Sequence, residues 1–101
     1  MMRKTTELTF GEAIEAMKNG AGVARDGWNG KGMFIFMVFE RSRQIKNLSM
    51  ELSRAMAYLG RMGTLKYCTH VNMINAQGEM VIGWNATQSD MTAKDWRIVY
   101  D

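Results

Sequence analysis

Apolar positions near the start of the chain repeat with a helical period. Phe10, Ala13, Ile14 and Met17 fall three and four residues apart and form one apolar face. Thr9 and Glu12 have the spacing of a capping box, in which each side chain satisfies an orphan backbone donor. Gly20 stands where a left-handed stop is expected. The pattern predicts a helix over about residues 10–19.

The period then changes. Gly22-Val23-Ala24-Arg25 reads as a short strand and Asp26-Gly27 as a turn. Met33 through Phe39 is apolar at both parities, which predicts a strand buried on both faces, or on one face with a partner covering the other. Arg41 through Lys46 is polar and basic. Leu48, Leu52, Ala55, Met56 and Leu59 return to helical spacing and predict a second helix that Gly60 can stop. Gly60 and Gly63 flank Arg61-Met62 as a connector. Tyr67 through Asn75 has strand composition, Gln77-Gly78 turns the chain, and Glu79 through Trp84 pairs back as a hairpin. Ser89 or Asp90 is expected to cap a short helical turn near Met91 to Lys94. Trp96 through Tyr100 alternates as a last strand. The expected fold is α+β: a single small antiparallel sheet with an N-terminal helix packed on it and an inserted central helix. Residues 1–101 form a single ligand-binding domain in this reading, with 41–65 as a helical insertion.

Composition narrows the class. Hydrophobic residues make up 47% and charged residues 23%, which is globular and not disordered. Eleven Met and no Pro suit a core that adapts its shape. A chain of 101 residues buries a modest fraction of its surface, so a site closed between copies is easier to build than a deep private pocket. The single Cys68 excludes an internal disulfide and fits a reducing compartment. Met1-Met2-Arg3-Lys4 leads into Thr5-Thr6-Glu7 without the apolar run of a signal peptide, and Met33 to Phe39 is too short to span a bilayer. A cytoplasmic protein without a membrane partner is expected. The net charge of +3 favours an anionic partner without requiring nucleic acid.

Two Gly-Trp-Asn stretches carry the candidate chemistry. In Gly27-Trp28-Asn29-Gly30-Lys31-Gly32, the glycines allow close backbone approach to a ligand. The Trp28 face can stack on a base, at about 1–3 kcal/mol per stack. The Asn29 amide suits a base edge or ribose, and Lys31 offers a point charge to phosphate. The competing reading is a glycine-rich turn with Trp28 as a core plug. The second stretch, Gly83-Trp84-Asn85 running into Thr87-Gln88-Ser89-Asp90, is a strand end leading to a helix start. It either cradles an anionic oxygen or only caps its helix. Asp90 would repel phosphate, so its work is capping or accepting from ribose hydroxyls.

No catalytic set, metal set or cofactor motif emerges. Cys68 and His70 fall two apart on the expected strand and share a face, but no third group orients the imidazole. One Cys and one His do not make a zinc site. Arg41, Arg43, Lys46, Arg54, Arg61 and Lys66 form a basic group that reads as a solvated face or an electropositive rim.

In the order of its segments the chain resembles the phage Thoeris anti-defence two family. The resemblance rests on Phe10-Gly11-Glu12-Ala13, Val23 through Phe34, Met73 through Gly78, Trp84 through Asp90, and Ala93-Lys94-Asp95-Trp96. It covers about residues 9–40 and 66–100. Between Arg41 and Leu65 the family pattern carries a proline-bearing loop, where this chain has no Pro and an expected helix. Thr87 stands where Ser is usual. The resemblance implies a non-enzymatic sponge in the host bacterial cytoplasm that sequesters cyclic ADP-ribose-type immune signals, with cyclic dinucleotides as a further ligand class. It implies a homo-oligomer, dimer or tetramer, with sites between subunits, and a pocket using Trp28, Asn29, Trp84, Thr87, Gln88, Ser89 and Asp90. No cofactor is expected. The alternatives are a hydrolase or lyase of the same signals, and a small nucleic-acid-binding phage regulator.

Overall fold

The computed structural model describes residues 4–44, 48–60 and 63–101. The leading Met1-Met2-Arg3, the cations Lys46 and Arg61, and the Arg61-Met62 connector lie outside the described residues. In chain order the elements are α1 (Phe10–Lys18), β1 (Gly22–Arg25), β2 (Phe34–Val38), β3 (Arg41–Gln44), α2 (Met50–Tyr58), β4 (Thr64–Tyr67), β5 (His70–Ile74), β6 (Met80–Val81), α3 (Gln88–Thr92) and β7 (Trp96–Tyr100). The fold is α+β, as the hydrophobic pattern predicts. The chain divides into two compact units, Met1–Val38 with His70–Asp101, and Phe39–Thr69.

The first unit holds a five-stranded sheet in the order β6-β5-β2-β1-β7 with every pairing antiparallel. Val23 lies opposite Ile35 and Ile98, and Ile35 opposite Met73. Strand alternation therefore places these four on one sheet face. Val23, Ile35 and Met73 join Leu8, Ala13, Met17 and Trp96 in the buried core, with Ile98 packed against it. Helix α1 begins as its sequence dictates. The Thr9 hydroxyl accepts from the Glu12 N–H at 3.2 Å, and the Glu12 carboxylate accepts from the Thr9 N–H at 2.9 Å. Its apolar face then buries Ala13 and Met17. The open side of β7 is engaged by the segment before α1: the Leu8 N–H donates to the Trp96 carbonyl at 2.8 Å, and the Ile98 N–H to the Thr5 carbonyl at 2.9 Å. An edge strand that would otherwise template pairing is thus occupied by its own chain.

The second unit contains helix α2, capped by the Ser49 hydroxyl and burying Met56, and a separate two-stranded antiparallel sheet of β3 and β4. Strand β3 is a departure from the polar, basic stretch expected at Arg41 to Gln44. All four of its residues are exposed, so no apolar alternation announces it. The single strand expected over Tyr67 to Asn75 is broken at Cys68 and Thr69, between β4 and β5. Cys68 is exposed in that break, so the alternation that would place Cys68 and His70 on one face does not operate. Among the described residues no helix is long and apolar enough to cross a membrane.

Candidate functional site

The two Gly-Trp-Asn stretches meet in space. Trp28 and Trp84 lie edge to face with ring centroids 6.2 Å apart, and both pack against Trp96, at 5.3 and 6.3 Å. Phe10, from the first turn of α1, closes the group at 5.4 Å from Trp96 and 6.5 Å from Trp84. Trp96 is fully buried, while Trp28 and Trp84 are partly buried. Each of those two indoles therefore contributes to the core and keeps some surface open. Their planes meet at 63°. A flat ring cannot lie between them as in a parallel sandwich, so it can stack on one indole at a time while the other presents an edge.

Below the rings lies a charged network that joins remote parts of the chain. Arg25, at the end of β1, donates from Nε to Asp95 Oδ1 and from Nη1 to Asp90 Oδ1, both at 2.9 Å. Asp90 Oδ1 also accepts from the Trp28 indole N–H at 3.2 Å, and Asp90 Oδ2 from the Thr87 N–H at 2.9 Å. Asp95 Oδ2 accepts from the Gly27 N–H at 2.8 Å. The Trp96 indole N–H donates to the Asp90 carbonyl at 3.0 Å. Burial pushes the Asp90 carboxyl up, but the Thr87 N–H, the Arg25 guanidinium, the Trp28 indole and the Thr87 side chain outweigh it and hold it below its ordinary value. The Arg25 hydrogen bond does the same for Asp95, helped by the Gly27 N–H. Hydrogen bonds to Asp95 and Asp90 hold the Arg25 guanidinium in its charged form.

Several expectations change here. The cap of α3 is Thr87, not Ser89 or Asp90, and the helix starts at Gln88. Asp90 is the third helical residue and completes a capping box with Thr87, so the Thr-x-x-Asp spacing was the available signal. That box occupies the N–H groups of Thr87 and Asp90, two donors a cradle would otherwise present. The free side of Gly27 faces its own chain: a Cβ there would lie 2.8 Å from Asp95 Oδ2. Gly83 has φ of 81°, and its N–H donates to the buried Asn72 side chain at 2.9 Å.

Contacts among the described residues thus bring together Trp28, Trp84, Thr87 and Asp90. Asn29, Gln88 and Ser89 are their exposed chain neighbours, and Lys31 is exposed on the first loop. The network has one guanidinium between two carboxylates, so it offers phosphate no net attraction; Lys31 is the one cation of the predicted set. Arg25 was not singled out by sequence reasoning, because its partners are far away in the chain. A groove of about 670 Å³ lies elsewhere, along the side of α1 and β7, lined by residues including Lys4, Leu8, Glu12, Ala16 and Ile98 and by none of the eight predicted ligand contacts. In the basic group Lys66 pairs with Glu40 at 3.2 Å, and Arg41, Arg43 and Arg54 are exposed.

Residues 8–99 match the family described as Thoeris anti-defense 2-like domain. The chain is also similar to the protein named Thoeris anti-defense 2 from Bacillus phage SP01. The two are 32% identical over 99 residues, covering 93% of this chain and 97% of the phage protein.

Proposed function

The chain belongs to the Thoeris anti-defense 2-like family, and from that premise we propose that it is a phage anti-defence protein that binds a cyclic nucleotide immune signal and keeps it intact. Cyclic ADP-ribose-type signals are the leading ligand class, and cyclic dinucleotides the second. The observation that carries this reading is the convergence of both Gly-Trp-Asn stretches on one place, where two partly exposed indoles sit beside a fixed carboxylate. One indole offers a stacking face to a base. The exposed side chains of Asn29, Gln88 and Ser89 offer donors and acceptors to ribose and base edges, and Lys31 a charge to phosphate.

Sequestration requires tight binding. Nanomolar affinity corresponds to about −12 kcal/mol. A single stack supplies about 1–3 kcal/mol of that. Because each indole already spends part of its surface on its own core, the remaining enclosure is supplied by a second copy, in a dimer or tetramer with the ligand at the seam. The host cytoplasm is the place where such a signal is met.

The test uses cyclic ADP-ribose mixed with stoichiometric protein. Depletion from the filtrate, followed by recovery of the unaltered compound after heat denaturation, is the expected result. Recovery of a changed product, or turnover at substoichiometric protein, would replace the sponge with an enzyme. Size-exclusion chromatography with light scattering reads the assembly, and a monomer that binds at full affinity would remove the seam.

A further inference from the structure

Arg25, outside the predicted ligand contacts, ties together two carboxylates that lie far from it in the chain. Its carbonyl accepts the Trp28 N–H at 3.3 Å, while its guanidinium reaches Asp90 and Asp95. The Arg25 side chain is 17% exposed, against 8% for Asp90 and 34% for Asp95, so the bond to Asp90 is the better shielded from water. The Asp26 N–H donates to the Asp95 carbonyl at 3.0 Å and the Gly27 N–H to the Asp95 carboxylate, so the start of the first loop is held by Asp95. Asp95 in turn is fixed by Arg25. The same guanidinium fixes the Asp90 oxygen that receives the Trp28 indole N–H. We infer that Arg25 is a positioning residue: through Asp90 and Asp95 it sets the angle of Trp28 against Trp84, and so prepares the stacking face for its ligand.

The physical reason is geometric. A guanidinium presents several donors in a rigid fork and can hold two carboxylates at fixed separation. An ammonium carries its three donors on one rotating nitrogen, so it can reach both carboxylates without fixing their separation. Asp90 lies in the first turn of α3 and Asp95 in the segment after it, so holding both at a fixed separation also holds the start of α3 against the first loop. Preorganised contacts bind more tightly because less ordering remains to be done on association. The inference rests on the reading of Trp28 as a ligand face, so the test separates the two.

The test compares the full-length protein with Arg25→Lys, Arg25→Met and Asp95→Asn. The first readout is the set of indole N–H resonances in ¹⁵N-edited NMR and their exchange with water. In Arg25→Met the Trp28 indole N–H shifts and exchanges faster, while the Trp96 indole N–H, bonded to a backbone carbonyl, stays protected and reports an intact core. Arg25→Lys falls between. The second readout is affinity for cyclic ADP-ribose, which weakens by about tenfold or more in Arg25→Met with partial recovery in Arg25→Lys. Should Arg25→Met not fold, Arg25→Lys and Asp95→Asn carry both readouts. An unmoved Trp28 resonance in a folded variant overturns the positioning role, and so does a shifted resonance with unchanged affinity. If the wild-type protein fails to bind while the Trp28 resonance still responds to Arg25, the ligand reading fails and the brace alone stands.

Discussion

The same tripeptide occurs twice, and the two copies are held by different physics. Gly27-Trp28-Asn29 is anchored by charge: Gly27 to the Asp95 carboxylate, Trp28 to the Asp90 carboxylate, and both acids to Arg25. Gly83-Trp84-Asn85 is anchored by neutral groups: the Gly83 N–H to the Asn72 amide, and the Trp84 N–H to the Val71 carbonyl at 2.8 Å. The glycines differ in kind as well. Gly27 is required for lack of room, Gly83 for a backbone conformation that side chains resist. Identical residues in sequence therefore carry no common structural cause, and the indoles meet because two unrelated anchoring schemes place them there.

Removing each anchor separates the schemes most strongly. Asp90→Ala leaves the Arg25 guanidinium, the Trp28 indole and the Thr87 N–H without their buried acceptor, and is expected to cost about 3–5 kcal/mol in urea denaturation. Asn72→Ala leaves one neutral N–H unsatisfied and is expected to cost about 1–3 kcal/mol. Equal costs would mean that the charged brace contributes no more than a single neutral hydrogen bond.

The glycines give the next contrast. Gly27→Ala forces the Asp95 carboxylate away and is expected to cost about 1–3 kcal/mol. Gly83→Ala is expected to cost about 1–2 kcal/mol through its left-handed backbone. Asparagine tells them apart, since it tolerates that backbone but is larger: Gly83→Asn should melt above Gly83→Ala, and Gly27→Asn below Gly27→Ala. The same order at both positions would remove the distinction.

Acid gives the smallest effect, with a definite sign. Asp90 and Asp95 have folded pKa values below their unfolded ones, so their contribution is complete above the ordinary Asp pKa, about 4, and is lost as pH falls through the lowered values. The Trp28 indole resonance should begin to move in that range before Trp84 does, because Asn72 and Val71 do not titrate. Asp95→Asn should flatten the acid limb of a melting-temperature profile. Simultaneous movement of both indoles would place them under one anchor.

Much of this arrangement is local and was legible in the residues. Thr9 and Glu12 announced α1, Gln77-Gly78 announced the β5–β6 turn, and the conversion from helical period to short apolar strands announced an α+β fold. Strand β3 was hidden because its four residues are all exposed and carry no alternation. The α3 cap was legible in Thr87 and Asp90, yet taking Ser89 or Asp90 as the cap drew the helix too late. In the candidate site, the aromatic and polar residue types were visible one by one. Their grouping was not, because Arg25 meets Asp90 and Asp95 across most of the chain's length.

The sequence by itself determined the elements whose causes lie within a few residues: caps, turns and apolar faces, together with the run of motifs that marks the family. Only the tertiary structure decided that Trp28 and Trp84 share one place, that they meet edge to face, and that the Asp90 carboxylate is committed to Arg25, Trp28 and Thr87. Local hydrogen bonds and periodicity depend on spacing, which a sequence displays. Ion pairs and ring contacts between remote segments depend on strand order and register, and these are fixed only when the sheet closes over its core.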